Sequence, residues 1–333
     1  MKRILFLILI PILLLTVVAC QSEEPRDKPL VMTTLFPYYD VTKTLAGDLV
    51  DVTMILPLGG DSHHYEPSPK QITAIKKADL IVFTGLEMEP WMKGILKNSS
   101  LSVLNLSEKI TLEHHDDDHH HDHDHGHHHD HDDLNGFQRL WNTVKTWLGL
   151  DAHGEHDYDP HFWLDPIHAQ IMVEEIAHAL ILLVPESEEL ILTRKDALNT
   201  SLSQLHLDYL NLFETHPSLH LMHAGHNAFS YFARRYNISY HTPYEGFTSD
   251  AEPKPQALAE MLRLMEKHNI RYLYAEVELN PLLAKAIQEQ TGTEILYLYN
   301  AETISSNEMN QGLTFLDMMI HNFNQIKRGV ILE

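Results

Sequence analysis

Residues 113–133 read EHHDDDHHHDHDHGHHHDHDD, and from His114 to His131 eleven of eighteen residues are histidine and six are aspartate. Imidazole nitrogens and carboxylate oxygens are what borderline and hard divalent cations take as ligands. So dense a polar run cannot enter a core. The chemistry it implies is metal binding by many interchangeable N/O sets on a flexible chain. Each ion held must order backbone at a cost of about 1–2 kcal/mol per residue, which predicts modest affinity and variable stoichiometry.

Four further stretches place metal-ligating residue types where the chain turns. Gly60-Asp61-Ser62-His63-His64-Tyr65-Glu66-Pro67 follows a strand end and precedes a helix, the position where open α/β sheets build their sites. Asp159-Pro160-His161-Phe162-Trp163-Leu164-Asp165-Pro166 brackets a histidine between two Asp-Pro pairs. Proline biases the residue before it towards extended geometry, so both aspartates are expected in turns, with Asp165 capping the next helix. Met222-His223-Ala224-Gly225-His226 is a strand end and a glycine turn before a helix. His226 near that helix start is the candidate ligand, and His223 is its competitor. In Tyr299-Asn300-Ala301-Glu302-Thr303, past the last strand, Glu302 offers a carboxylate or is a surface loop acid.

His63, His161, His226 and Glu302 are 98, 65 and 76 residues apart. Local zinc motifs have ligand spacings of a few residues, so these four must be gathered by the tertiary fold, two from each half of the chain. Three nitrogens and one oxygen suit tetrahedral Zn2+ better than Mn2+, which prefers more oxygen. Such a set on a secreted chain also fits a zinc hydrolase with water in an open position. The sequence holds no HExxH helix and no Gly-x-Ser-x-Gly elbow, and the only evident general base is Glu66, whose Tyr-Glu-Pro setting reads as structural.

The elements that must position these residues follow from the hydropathy pattern. Strands are predicted over Leu30–Leu35, Val50–Leu56, Leu80–Thr84 and Leu101–Leu106, with helices near Tyr38–Ala46 and Pro69–Ala78. The His/Asp tract interrupts this alternation, and Phe137–Leu150 carries the pattern of a short amphipathic helix. A helix is predicted from Pro166 to about Val184, then one long helix from Glu186 to about Glu214, with Leu190, Leu198, Leu202, Leu205, Leu210 and Phe213 recurring on one face. Strands then return at Leu219–His223, Ile238–His241, Arg271–Val277 and Glu294–Tyr299, with helices near 226–236, 254–268, 281–290 and 307–327. Alternation of this kind implies α/β architecture. The prediction is two similar lobes, each a mostly parallel sheet flanked by helices, joined by one long backbone helix. The boundaries are 30–184 with the loop 113–133, 185–216 for the linking helix, and 217–333.

The chain's ends and charge bound its setting. Lys2 and Arg3 precede an apolar run, Ile4–Ala19, too short to span a membrane and of signal-peptide form. It closes on Val17-Val18-Ala19-Cys20, and Cys20 is the single cysteine in the protein. Small and apolar residues before a lone cysteine resemble the bacterial lipobox, so residues 1–19 are expected to be removed and Cys20 lipidated, with 20–29 as a tether. The formal net charge is −23, nine of those charges lying in the tract. So acidic a balance excludes nucleic acid, which requires clustered Lys/Arg.

The motifs together resemble the zinc-binding, ZnuA-like branch of the metal-binding lipoproteins of bacterial ABC transporters (cluster A-I, family 9 of solute-binding proteins). The residues carrying the resemblance are Val31-Met32-Thr33-Thr34-Leu35-Phe36-Pro37, His63-x-Tyr65-Glu66-Pro67, Asp159-Pro160-His161-x-Trp163-Leu164-Asp165-Pro166, His226-x-Ala228-Phe229-x-Tyr231-Phe232 and Ala251-Glu252-Pro253. The resemblance implies metal in the cleft between two lobes, with His63, His161 and His226 as the three histidines. The spacing before Tyr-Glu-Pro selects His63 over His64. A histidine in third position is similar to the zinc branch, where manganese relatives place a carboxylate. Glu302, or a water in its place, would be the fourth ligand; the branch often has Pro-Leu-Glu where this chain has Asn300-Ala301-Glu302. The family further implies an exported, lipid-anchored, non-enzymatic receptor facing the periplasm or outer surface, delivering Zn2+ to a permease and its ATPase as a monomer. A manganese receptor, a hydrolase and a zinc-sequestering adhesin are the alternatives. His114, His115, His119, His120, His121, His123, His125, His127, His128, His129 and His131 would then be an accessory metal-collecting loop.

Overall fold

The computed structural model describes residues 26–85, 88–97, 99–110, 159–217, 219–244, 246–247, 253–277 and 282–332. Cys20, the His/Asp tract, the 137–150 segment and the Ala251-Glu252 pair lie outside these residues.

Four strands precede the long helix and pair in parallel in the order β2-β1-β3-β4: β1 Leu30–Thr33, β2 Asp51–Met54, β3 Leu80–Phe83 and β4 Val103–Asn105. The central β3, Leu-Ile-Val-Phe, is buried on both faces, as a parallel strand covered on either side must be. Helix α1 (Phe36–Ala46) starts on Pro37 and stops at Gly47, which takes φ 60°. Helix α2 (Pro69–Ile75) opens on a Ser68/Gln71 capping box with proline in its first turn; these local signals fix the chain's path past His63. A short α3 (Met92–Leu96), not expected from the hydropathy pattern, precedes β4.

Helix α4 (Pro166–Leu183) is capped by Asp165, which accepts from the Ile167 N–H at 3.1 Å. A turn of 3-10 helix leads into α5 (Glu188–Glu214), 27 residues and so about 40 Å long. Its buried face is Ile191, Leu198, Leu202, Leu205, Tyr209, Leu212 and Phe213. Leu190 and Leu210, expected on that face, are instead 44% and 42% exposed. Strict leucine spacing misassigns the stripe by one position at each end, because Ile191 and Tyr209 fill it.

After α5 come β5 (His220–Met222), α6 (Ser230–Arg235), β6 (Ser239–His241), α7 (Pro255–Lys267), β7 (Tyr272–Glu276), α8 (Leu282–Thr291), β8 (Glu294–Leu298), α9 (Ser306–Gln311) and α10 (Phe315–Leu332). β5 pairs with β6 and β7 with β8, all in parallel. A bridge between His223 and Tyr274, with the Ala224 N–H donating to the Tyr274 carbonyl at 2.7 Å, links the pairs in the order β6-β5-β7-β8. That repeats the first sheet's order, so the chain forms two similar lobes. The strands are shorter than predicted by one or two residues at one or both ends.

Two helices differ from expectation. The helix expected over 226–236 begins only at Ser230. The N–H groups of His226, Asn227 and Ala228 are held by Glu276, the Gly246 carbonyl and the His226 carbonyl, which leaves this stretch a loop. The last helix is broken at Gly312, where φ is 75°. It restarts when Asp317 accepts from Thr314 N–H and Oγ1, and Asp40 of α1 accepts from the Phe315 N–H at 2.9 Å. That bond ties the C-terminal helix to the first lobe.

Candidate metal centre

The site lies past the carboxyl ends of β2, β5 and β8, with His161 contributed by the segment that leads into α4. One ligand atom from each of His63, His161, His226 and Glu302 lies within 4.8 Å of the others. Glu302 Oε1 is 2.9 Å from His161 Nε2, 3.2 Å from His226 Nε2 and 3.6 Å from His63 Nε2, and the Nε2 atoms of His161 and His226 are 3.1 Å apart. Ligands at about 2.0–2.1 Å on a tetrahedral zinc stand about 3.3 Å from one another, so these separations bracket that geometry. His63 Nε2 is buried and has no hydrogen-bond partner among the described residues. That nitrogen borders the space the other three enclose. His64, by contrast, is exposed and turned to Asp61.

Each cross-cleft imidazole is set by a carboxylate behind it. Asp159 Oδ1 accepts from the His161 backbone N–H at 2.9 Å and lies 2.8 Å from its Nδ1. Glu276 Oε1 accepts from the His226 N–H at 2.9 Å and lies 2.8 Å from its Nδ1. With Nδ1 turned back to its carboxylate, Nε2 of both rings faces the centre, where loss of its proton exposes the lone pair a metal needs. Glu302 is held by Ser62 Oγ on Oε2, and its N–H donates to Asn300 Oδ1 at 3.1 Å; Asn300 Nδ2 donates in turn to Glu276 Oε2 at 2.9 Å. Ala301 takes the left-handed φ of 62° that turns Glu302 into the cleft.

Further bonds join the lobes around this floor. Trp163, fully buried, donates Nε1 to the Asn300 carbonyl at 2.9 Å, and Tyr231 donates to the Asp159 carbonyl at 2.9 Å. The Phe36 N–H donates to the Glu302 carbonyl at 3.0 Å and the Gly59 N–H to that of Ile304 at 2.9 Å. Arg235 grips both oxygens of the buried Asp165.

Burial draws the His161 imidazole down, but hydrogen bonds to Asp159 and Glu302 outweigh it and lift its pKa above 6.5. Burial is likewise overcome at His226, chiefly by the charge and hydrogen bond of Glu276, and its pKa lies well above 6.5. Burial would raise Glu302, yet His63, His161 and His226 around it hold it well below the usual carboxylate range. An ionised carboxylate beside two imidazoles of raised proton affinity is a place where a divalent cation displaces protons.

His223, the sequence competitor, stands outside this set. It is fully buried with Nδ1 2.9 Å from Tyr240 Oη, and burial pushes its pKa down to about 4. Its Nε2 faces Glu276 at 3.9 Å, behind His226. Gly225 lies against this pair, where a Cβ would come within 2.1 Å of Glu276 Oε1, so only glycine lets the chain pass. Glu276 itself escaped sequence reading. Its signal was a lone acid closing the otherwise apolar run Tyr272–Ala275. Glu66, the only evident general base in the sequence, is exposed.

Comparison with known proteins places these features in a wider group. The family model described as zinc-uptake complex component A, periplasmic, matches residues 31–329. The zinc-binding lipoprotein AdcA of Streptococcus pneumoniae is 27% identical over 333 residues, covering 98% of this chain; the chain spans 61% of that relative's length. The high-affinity zinc uptake system protein ZnuA of Bacillus subtilis is 27% identical over 316 residues, covering 94% of this chain and 91% of that protein. The solved structure of the laminin-binding protein Lmb of Streptococcus agalactiae, described as bifunctional with adhesin and metal-transporting activity, matches with a TM-score of 0.71 at 27% identity, covering 91% of this chain and 100% of that one.

Proposed function

Because the chain belongs to the zinc-uptake complex component A family, we propose that it is an extracytoplasmic receptor that captures Zn2+ between its lobes and delivers it to an ABC permease. The observation that carries this is the convergence of three imidazoles and one carboxylate from distant parts of the chain within 4.8 Å. His63, His161, His226 and Glu302 are the ligands in this reading. Zn2+ is cargo, so the protein's work is capture and release. Asp159 and Glu276 hold two rings with Nε2 facing the site before the ion arrives, which lowers the ordering cost of binding. The N3O set favours Zn2+ over Mn2+.

Residues 30–184 and 217–333 are the two lobes in this reading and 185–216 the link between them. Cys20 is the lipid anchor, the mature chain is a monomer outside the cytoplasm, and the permease with its ATPase is its partner. The histidines between 114 and 131 collect zinc for the cleft with modest affinity, and the chain catalyses no reaction. An adhesive role beside transport is a second reading, favoured by the description of Lmb as both adhesin and transporter component; binding of the mature chain to immobilised laminin tests it separately.

The deciding experiment is calorimetric titration of the chain from Gln21, wild type beside His161→Ala, with Zn2+ and Mn2+ in turn. One tight Zn2+ event that disappears in the variant, above a weaker multi-site phase that persists, is expected. An unchanged titration in His161→Ala overturns the cleft assignment, and equal affinity for Mn2+ overturns the choice of metal.

A further inference from the structure

A second group of imidazoles stands in the C-terminal lobe, outside the centre just described. His220 opens β5, His241 closes β6 and His268 caps the C-terminus of α7. His220 Nδ1 and His241 Nε2 are 3.0 Å apart. The His220 ring centroid is 5.2 Å from that of His241 and 4.2 Å from that of His268. His220 and His241 are half-buried and His268 is exposed.

We propose that His220, His241 and His268 form a second site for a divalent transition-metal ion of the imidazole-preferring class, such as Zn2+, Ni2+ or Cu2+. The 3.0 Å between the two ring nitrogens is hydrogen-bond distance, and a metal ion can take the place of the proton between them. Two imidazoles on a tetrahedral zinc stand about 3.3 Å apart, so binding needs little movement of this pair. His268 adds the third nitrogen by rotating on its stem. Burial above all, with His220 beside it, pushes His241 down to about 4, and burial with His268 and Lys267 nearby lowers His220. Both rings are therefore neutral at pH 7, the form that ligates. The C-terminal carbonyls of α7 direct partial negative charge at a cation beside His268.

Two features keep the site weaker than the cleft. Among the described residues no carboxylate hydrogen-bonds to any of the three rings, whereas both cross-cleft histidines have one. Glu260, the acid nearest His241, is already paired with Arg263 at 2.6 Å, and Lys267 repels a cation near His220. Partial exposure also makes the ion readily exchangeable.

Residue-resolved histidine footprinting of the full mature chain tests this. The protein is carbethoxylated at rising Zn2+ and each histidine read by mass spectrometry. The cleft histidines are buried, so the proposed receptor site is followed in parallel by its tight calorimetric Zn2+ event, which reports on it separately. His220, His241 and His268 should then be protected together at higher Zn2+. In His220→Ala, protection of His241 and His268 should require about tenfold more zinc or more, at least the effect of losing an outer-sphere partner, while the cleft is unchanged. Absence of joint protection, or protection of His241 and His268 that persists unshifted in His220→Ala, overturns the shared site.

Discussion

A single oxygen of Glu276, Oε1, takes both the backbone N–H and the ring Nδ1 of His226, at 2.9 and 2.8 Å. The carboxylate thereby fixes the position and the tautomer of the same residue. Asp159 Oδ1 does the same for His161. The two cross-cleft imidazoles are thus held alike although one carboxylate comes from two residues upstream and the other from 50 residues downstream.

Glu276→Gln keeps the shape but replaces a charge-assisted bond with a neutral one and lets the amide present either end to Nδ1. Zinc affinity at the cleft should fall about 10–100-fold, the usual loss for an outer-sphere partner, with stoichiometry unchanged. Competition against a chromophoric chelator measures it. An affinity equal to wild type would remove Glu276 from this role.

Much of this was legible in the sequence, and the limits are physical. Strand–helix alternation gave both sheets because parallel strands are short apolar runs, as in Leu80–Phe83. Helix ends were less legible: the His226–Phe229 stretch has helical residue types, but its N–H groups are engaged by Glu276 and Gly246 from far along the chain. The cleft histidines stood out because each is flanked by turn residues at a strand end or between Asp-Pro pairs. Glu276 and Ser62 did not, since an acid ending a strand and a serine in a loop acquire meaning only when the fold brings them to His226 and Glu302.

Glu302 is either a ligand or a neighbour of a bound water. Glu302→Ala removes the oxygen 2.9 Å from His161 Nε2 and leaves Ser62 Oγ without its acceptor. Tight zinc binding should weaken by about tenfold or more if the carboxylate ligates, at least the effect of an outer-sphere loss. Retained affinity, with an added exchangeable water seen by Co2+ substitution spectroscopy, would favour the water.

Protons compete with metal at this centre, and the direction is set by the raised pKa values of His161 and His226. Cleft affinity should begin to fall above pH 6.5 as the solution is acidified. In the metal-free protein the same groups act oppositely on stability. The two histidines stabilise fully below about 6.5 and lose that contribution as pH rises through their folded values. Glu302, held low, contributes above the ordinary carboxylate range and loses it as pH falls. Zinc should therefore raise the melting temperature more at pH 8 than at pH 6. Calorimetry in buffers of different ionisation enthalpy should show proton release on binding.

Deleting residues 114–131 should remove the weak multi-site phase and leave one tight site, because all four cleft residues lie outside that segment. Flexible ligand sets must order their own backbone at about 1–2 kcal/mol per residue, which the fixed cleft largely avoids. Loss of the tight event on deletion would make the tract part of the primary site.

Asp165 and Arg235 join the segment entering α4 to helix α6 beside the centre. Arg235 Nε lies 3.1 and 2.9 Å from the two carboxylate oxygens and Nη2 2.6 Å from the second. Asp165 is fully buried and also caps α4. Arg235→Met would leave that carboxylate with the Ile167 N–H and His168 as its remaining neighbours. Removing one partner of a buried pair costs about 3 kcal/mol, and urea unfolding of the metal-free chain should register a loss of that order. Arg235→Lys restores the charge without the planar fork and should recover only part of it. Because the pair crosses between lobes, its loss should also speed zinc dissociation while leaving the ligand set intact. Stopped-flow transfer of zinc to excess chelator measures that rate. A slower or unchanged rate together with the stability loss would confine the pair to holding the fold.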